Sequence, residues 1–149
     1  MRLLRYALSI CALMPLMASA GHGAPLAVPA PFAAPATLDQ TATSAAIKAG
    51  VSACHWQASF ERRGYVEALL QDKSLLIRVG LLYDPKQIRM VYLESKGFHY
   101  QIDENGTVIV HKKLNYWLAR LDSCLRTSLN VVVVPTSTKP DDAVTEDPK

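Results

Sequence analysis

The chain has 149 residues, 16 of them Lys or Arg and 13 Asp or Glu, which allows one domain and a formal net charge of +3. Arg2 and Arg5 belong to an N-terminal leader; without them 14 basic residues face 13 acidic ones, a net charge near +1. So even a balance lacks the basic surface that displaces counterions from phosphates, and no nucleic-acid partner is expected.

Met1 to Arg5 is a short basic segment, Tyr6 to Met17 is apolar and broken by Pro15, and Ala18-Ser19-Ala20 has the small residues of a cleavage site. Residues 1–20 therefore read as a signal peptide cut after Ala20. The apolar run is shorter than the roughly 20 residues a membrane-spanning helix needs, so membrane attachment is expected only through an uncleaved leader. Cys11 follows Ile10, which is too large for the residue before a lipidated Cys. The expected location is the periplasm or the medium.

Residues 21–37, with Pro25, Pro29, Pro31 and Pro35 among Ala and Gly, read as an extended linker. A small domain is expected over 38–134 and a disordered acidic tail over 135–149. Within the domain, a first helix is predicted from Thr41 to Ser52, capped by Asp39 or Thr41, with Gly50 weakening its last turn. After Cys54 the period becomes two, with Trp56, Ala58 and Phe60 on one face. Arg62-Arg63-Gly64 turns the chain into Tyr65 to Gln71, with Val66, Ala68 and Leu70 inward. Leu75 to Tyr83 alternates most regularly; Asp84-Pro85-Lys86 turns it into Gln87 to Leu93, with Ile88, Met90 and Tyr92 inward. Connections this short join antiparallel neighbours, which predicts a four-stranded meander. Phe98 to Ile102 and Val108 to Val110 suggest a further hairpin around Asn105-Gly106.

From Lys112 to Leu129, the residues Leu114, Trp117, Leu118, Leu121, Cys124 and Leu125 form one helical stripe. Val131 to Val134 reads either as an edge strand or as loose chain. The expected fold class is α+β: a four-stranded antiparallel meander with an N-terminal and a C-terminal helix packed on one face. Cys54 and Cys124 remain after leader removal, and in an oxidising compartment a bridge between them is expected. It closes a loop of about 70 residues, for which chain entropy allows about 4 kcal/mol.

An alternating strand ending in Tyr83-Asp84, then Ile88-Arg-Met-Val-Tyr92, Ser95, Tyr100 and His111-Lys-Lys-Leu-Asn115-Tyr-Trp117 occur in that order. In this the chain resembles a group of small uncharacterised exported proteins and lipoproteins of Gram-negative bacteria. It departs from their usual pattern at Leu114, where a tyrosine is common. The resemblance implies export and fold; it brings no activity with it.

Two candidate binding surfaces follow. One is the start of the last helix, with His111, Lys112, Asn115 and Trp117; the competing reading makes Trp117 a core anchor and Asn115 a backbone partner. The other is the outward sheet face, where Leu69, Leu76, Leu82, Val91 and Leu93 are interspersed with Arg78 and Arg89. Such a face suits a protein partner, a second copy of the chain or the envelope surface, unless Phe98 to Val110 or Val131 to Val134 covers it. His55, His99 and His111 lack metal-ligand spacing, and no metal or cofactor is expected. The expected function is a non-catalytic interaction module. The rivals are a small hydrolase built from His99, His111, Asp103 or Glu104, for which no nucleophile motif is present, and a purely structural envelope protein tethered through its linker.

Overall fold

The structure, a computed structural model, describes residues 23–132. Residues 1–22, which include the expected signal peptide, and residues 133–149, which include Val133, Val134 and the expected acidic tail, lie outside the described residues. Ten elements follow in order: β1 Gly23–Pro25, β2 Phe32–Ala33, α1 Gln40–Ala53, β3 Gln57–Arg62, β4 Tyr65–Asp72, β5 Leu75–Tyr83, β6 Gln87–Lys96, β7 Gln101–Ile102, β8 Val108–His111 and α2 Lys112–Val132. Val131 and Val132 thus continue α2 and do not start an edge strand.

The α+β class is as expected, and β3 to β6 form the antiparallel meander. The sheet, however, has five strands in the order β2-β6-β5-β4-β3, and a second antiparallel sheet has the order β1-β8-β7. Both additional N-terminal strands come from the stretch read as a linker. Gly23, Ala24 and Pro25 pair with His111, Val110 and Ile109, while Phe32 and Ala33 pair with Ile88 and Gln87. Between them the chain follows α2: the Arg126 guanidinium lies 4.1 Å from the Phe32 ring centre. Prolines forbid a helix there, yet an extended strand at a sheet margin tolerates a residue with no N–H. Residues 23–37 are therefore a strap fastened to the domain.

α1 starts where the Asp39 carboxylate accepts the Ala42 amide at 2.7 Å, a side-chain cap on an otherwise free donor. It ends in a Schellman motif: Trp56 N donates to Val51 O at 3.0 Å and His55 N to Ser52 O at 2.9 Å. Gly50 is a point of close approach between α1 and α2. A Cβ there meets the Leu125 Cα at 3.0 Å and the Cys124 carbonyl oxygen at 3.1 Å.

The core lies between the helices and one face of the large sheet. Ile47 and Val51 of α1 and Leu114, Leu118, Leu121, Leu125 and Leu129 of α2 are buried there. They close over Val66, Ala68, Ile77, Val79, Leu81, Tyr83, Ile88 and Met90. Each fully buried leucine of the α2 stripe contributes about 2 kcal/mol of gross transfer energy. Cys54, at the end of α1, is bridged to Cys124 of α2 with a Cα–Cα distance of 6.0 Å.

The face assigned to Phe60 needs correcting. A register shift between Ala58 and Phe60 places Phe60 opposite Glu67 and leaves its ring 53% exposed. A bulge adds one residue, and with a period of two that reverses every later side chain. Glu61 consequently turns toward α1.

Candidate ligand-binding cleft

The segment singled out at the start of α2 divides into scaffold and surface. His111, the last residue of β8, caps α2: Lys113 N donates to its Nδ1 at 3.2 Å, which places the ring proton on Nε2. Asn115 holds the strap from both sides, its Nδ2 donating to Pro25 O at 2.7 Å and its Oδ1 accepting from Ala27 N at 2.9 Å. The amide thus acts as a short strand partner for backbone almost 90 residues away. Lys112 is exposed. Trp117 is half-buried against the core, with the Arg120 guanidinium 5.5 Å from its ring centre.

On the outer sheet face, Leu69, Arg78 and Glu94 lie in one cross-strand row. Arg78 is engaged on both sides: its Nε and Nη2 donate to Glu67 at 3.2 and 3.0 Å, and Nη1 lies 3.5 Å from Glu94. The Arg78 hydrogen bond is the main reason the Glu67 carboxyl sits below its ordinary range; the Ser59 hydroxyl adds to it. Val91 pairs with Gly80, and the Tyr65 ring lies across that glycine, 2.8 Å from where a Cβ would stand. Burial, then the Glu67 charge, pushes the Tyr65 phenol up. Arg89 is exposed opposite Leu82. The face is largely a network of satisfied charges and an aromatic lid. Phe98 and Val110, considered as a cover for it, are buried in the core.

A crevice of about 470 Å³ lies between the start of α1 and the β3–β4 turn, lined by Ser44, Lys48, Glu61, Arg62 and Arg63. The Ser44 hydroxyl donates to Glu61, and Lys48 Nζ lies 2.8 Å from the other carboxylate oxygen. These bonds, Lys48 first, hold the Glu61 carboxyl below its ordinary range. A carboxylate stabilised in its charged form is a weak base, so this triad does not activate Ser44.

A second, more apolar cleft of about 290 Å³ opens beside Trp117. Leu70, Leu75, Ile77, Phe98 and Trp117 form its walls; His55, Gln71, Asp72 and Lys113 provide the charged or polar groups. Four separate segments meet here: the end of α1, the tip of the β4–β5 hairpin, the chain after β6 and the first turns of α2. His55 is held by the Schellman motif at φ 63°, a left-handed position that usually takes glycine. Asp72 ends β4 just before Lys73, itself at φ 52°. Neither Asp72 nor Lys113 takes part in an ion pair among the described residues. An apolar concavity with a few convergent polar groups is the usual form of a small-ligand site.

Of the residues chosen from the sequence, Trp117 and Leu76 line this cleft. His111 and Asn115 hold the scaffold, and Arg78, Arg89 and Val91 lie on the outer sheet face. His55, Asp72 and Lys113 were not chosen, and only one local signal pointed to any of them: a non-glycine residue directly after a helix end, before a change of period. Among the described residues no group of three or more His, Cys, Asp or Glu is placed to hold a metal ion. No helix among them is long and apolar enough to cross a membrane. Comparisons with protein-family models, with curated proteins and with solved structures give no match.

Proposed function

We propose that this chain is an exported, non-catalytic interaction module that recognises an apolar group in the cleft beside Trp117. The observation that carries this reading is the cleft itself: about 290 Å³ walled by Leu70, Leu75, Ile77, Phe98 and Trp117. Export to the periplasm or the medium is supported by the leader sequence and by the bridged Cys54 and Cys124 in an otherwise cysteine-poor domain. Kinship with the small exported proteins of Gram-negative bacteria belongs to the same proposal. Several residues that a hydrolase would need have structural roles. The His111 imidazole caps α2, and the Asp103 carboxylate accepts the Asn105 and Thr107 amides of a turn. Cys54, beside His55, is bridged and is no nucleophile.

The test is a titration of the mature protein with benzyl alcohol, an uncharged apolar probe, followed by methyl NMR. Shifts confined to Leu70, Leu75 and Ile77, and lost in Gln71→Trp at the mouth, support the cleft. Shifts spread over the surface, or none, refute it. A second reading, self-association through the outer sheet face, is favoured by Phe60 and Leu93, which are 53% and 41% exposed. Sedimentation distinguishes it: a wild-type dimer that Phe60→Glu with Leu93→Glu turns into a monomer supports the second reading, and a monomeric wild type ends it.

A further inference from the structure

From the charges that line the cleft we infer the chemical class of its ligand: an apolar α-amino acid with free ammonium and carboxylate groups. The inference rests on the reading of the cleft as a recognition site. The walls offer aliphatic and aromatic surface in a volume at the small end of ligand sites, which suits one amino-acid side chain and excludes a drug-sized molecule. Its lining includes one basic residue, Lys113, and one acidic residue, Asp72, both exposed and not paired with each other. The complement of one charge of each sign over an apolar pocket is an apolar body with one charge of each sign. Lys113 takes the ligand carboxylate and Asp72 its ammonium. His55, whose backbone is held left-handed at the end of α1, adds a hydrogen-bonding side chain to the same lining. The Lys113 backbone is held by the His111 cap of its amide, which ties the cleft to the start of α2.

The two charges make separable predictions. In calorimetric titrations of the oxidised mature protein, phenylalanine and leucine bind. Phenylalaninamide and N-acetylphenylalanine, each lacking one charge, bind about tenfold more weakly, as expected for loss of one charge-assisted contact. Lys113→Gln weakens phenylalanine and N-acetylphenylalanine and leaves phenylalaninamide unchanged; Asp72→Asn weakens phenylalanine and phenylalaninamide and leaves N-acetylphenylalanine unchanged. Both substitutions are at exposed positions, and retained far-UV dichroism shows that the fold is intact. If either derivative binds as well as phenylalanine, or if nothing charged binds while benzyl alcohol still shifts the cleft methyls, the amino-acid inference is overturned and the cleft reading stands. If benzyl alcohol also fails, both fall together.

Discussion

Replacing Gly50 by alanine sets two known effects against each other at one atom. Alanine in a helix interior is better than glycine by about 1 kcal/mol, so propensity alone makes Gly50→Ala stabilising. The structure reverses the sign. The new Cβ stands 3.0 Å from the Leu125 Cα, 3.1 Å from the Cys124 carbonyl oxygen and 3.2 Å from the Ser128 Oγ. Two of the three are backbone atoms of α2, which gives way only by moving the helix. Overpacking of this kind costs about 1–3 kcal/mol, leaving Gly50→Ala destabilised by about 1 kcal/mol, or a few degrees in Tm. The Cys54–Cys124 bridge fastens α2 at the same point, so sliding is restrained there. The assay is thermal unfolding of four proteins: wild type, Gly50→Ala, the Cys54→Ser/Cys124→Ser pair, and all three changes together. The Gly50→Ala penalty should shrink once the bridge is gone, a coupling the cycle measures directly. A higher Tm for Gly50→Ala in the oxidised protein would refute the close-approach argument.

Four further outcomes are expected. Asn115→Ala removes both bonds to the strap at Pro25 and Ala27 and should cost about 1–2 kcal/mol, with hydrogen exchange rising at Ala27 while the α1 amides stay protected; unchanged exchange at Ala27 contradicts the clamp. His55→Gly relieves a left-handed backbone and should stabilise by about 0.5–1 kcal/mol in chemical denaturation; a loss of stability means that the imidazole has a packing role. Intact mass after alkylation without reductant should show no labelled thiol in the mature protein, and reduction should lower stability by up to about 4 kcal/mol; labelling before reduction disproves the bridge. Glu67 and Glu61 have folded-state pKa values below their ordinary range, so their contribution is complete above about pH 4.3, the unfolded-state value, and is lost as pH falls through the lower folded values. Stability should drop below that pH less steeply in Glu67→Gln; identical acid profiles exclude the Arg78 contact as the cause.

Local pattern was enough for the elements that carry their own period. The alternation of Leu75, Ile77, Val79, Leu81 and Tyr83, the stripe from Leu114 to Leu125, and the turn residues at Gly64, Asp84-Pro85 and Asn105-Gly106 each state a structure within about a dozen residues. The expected Cys54–Cys124 bridge is present, and both cysteines fall on elements that the pattern already placed on the core side. The α+β class followed from these parts.

What only the tertiary structure decided depended on partners distant in sequence. The proline-rich strap looked free because its holds, β6, β8, Asn115 and Arg126, all lie more than 50 residues further on. Gly50 looked like a weak helix turn because the reason for it, the backbone of Leu125, belongs to another helix. Phe60 changed face because one bulged residue reverses a period-two pattern without leaving a mark in composition. The cleft beside Trp117 was the least legible of all. Its walls come from four segments, and apolar residues such as Leu70, Leu75 and Phe98 carry the same sequence signature whether they close a core or line an opening. Hydrophobic pattern specifies which side of an element faces inward; where inward surfaces fail to meet is set by how the finished elements pack.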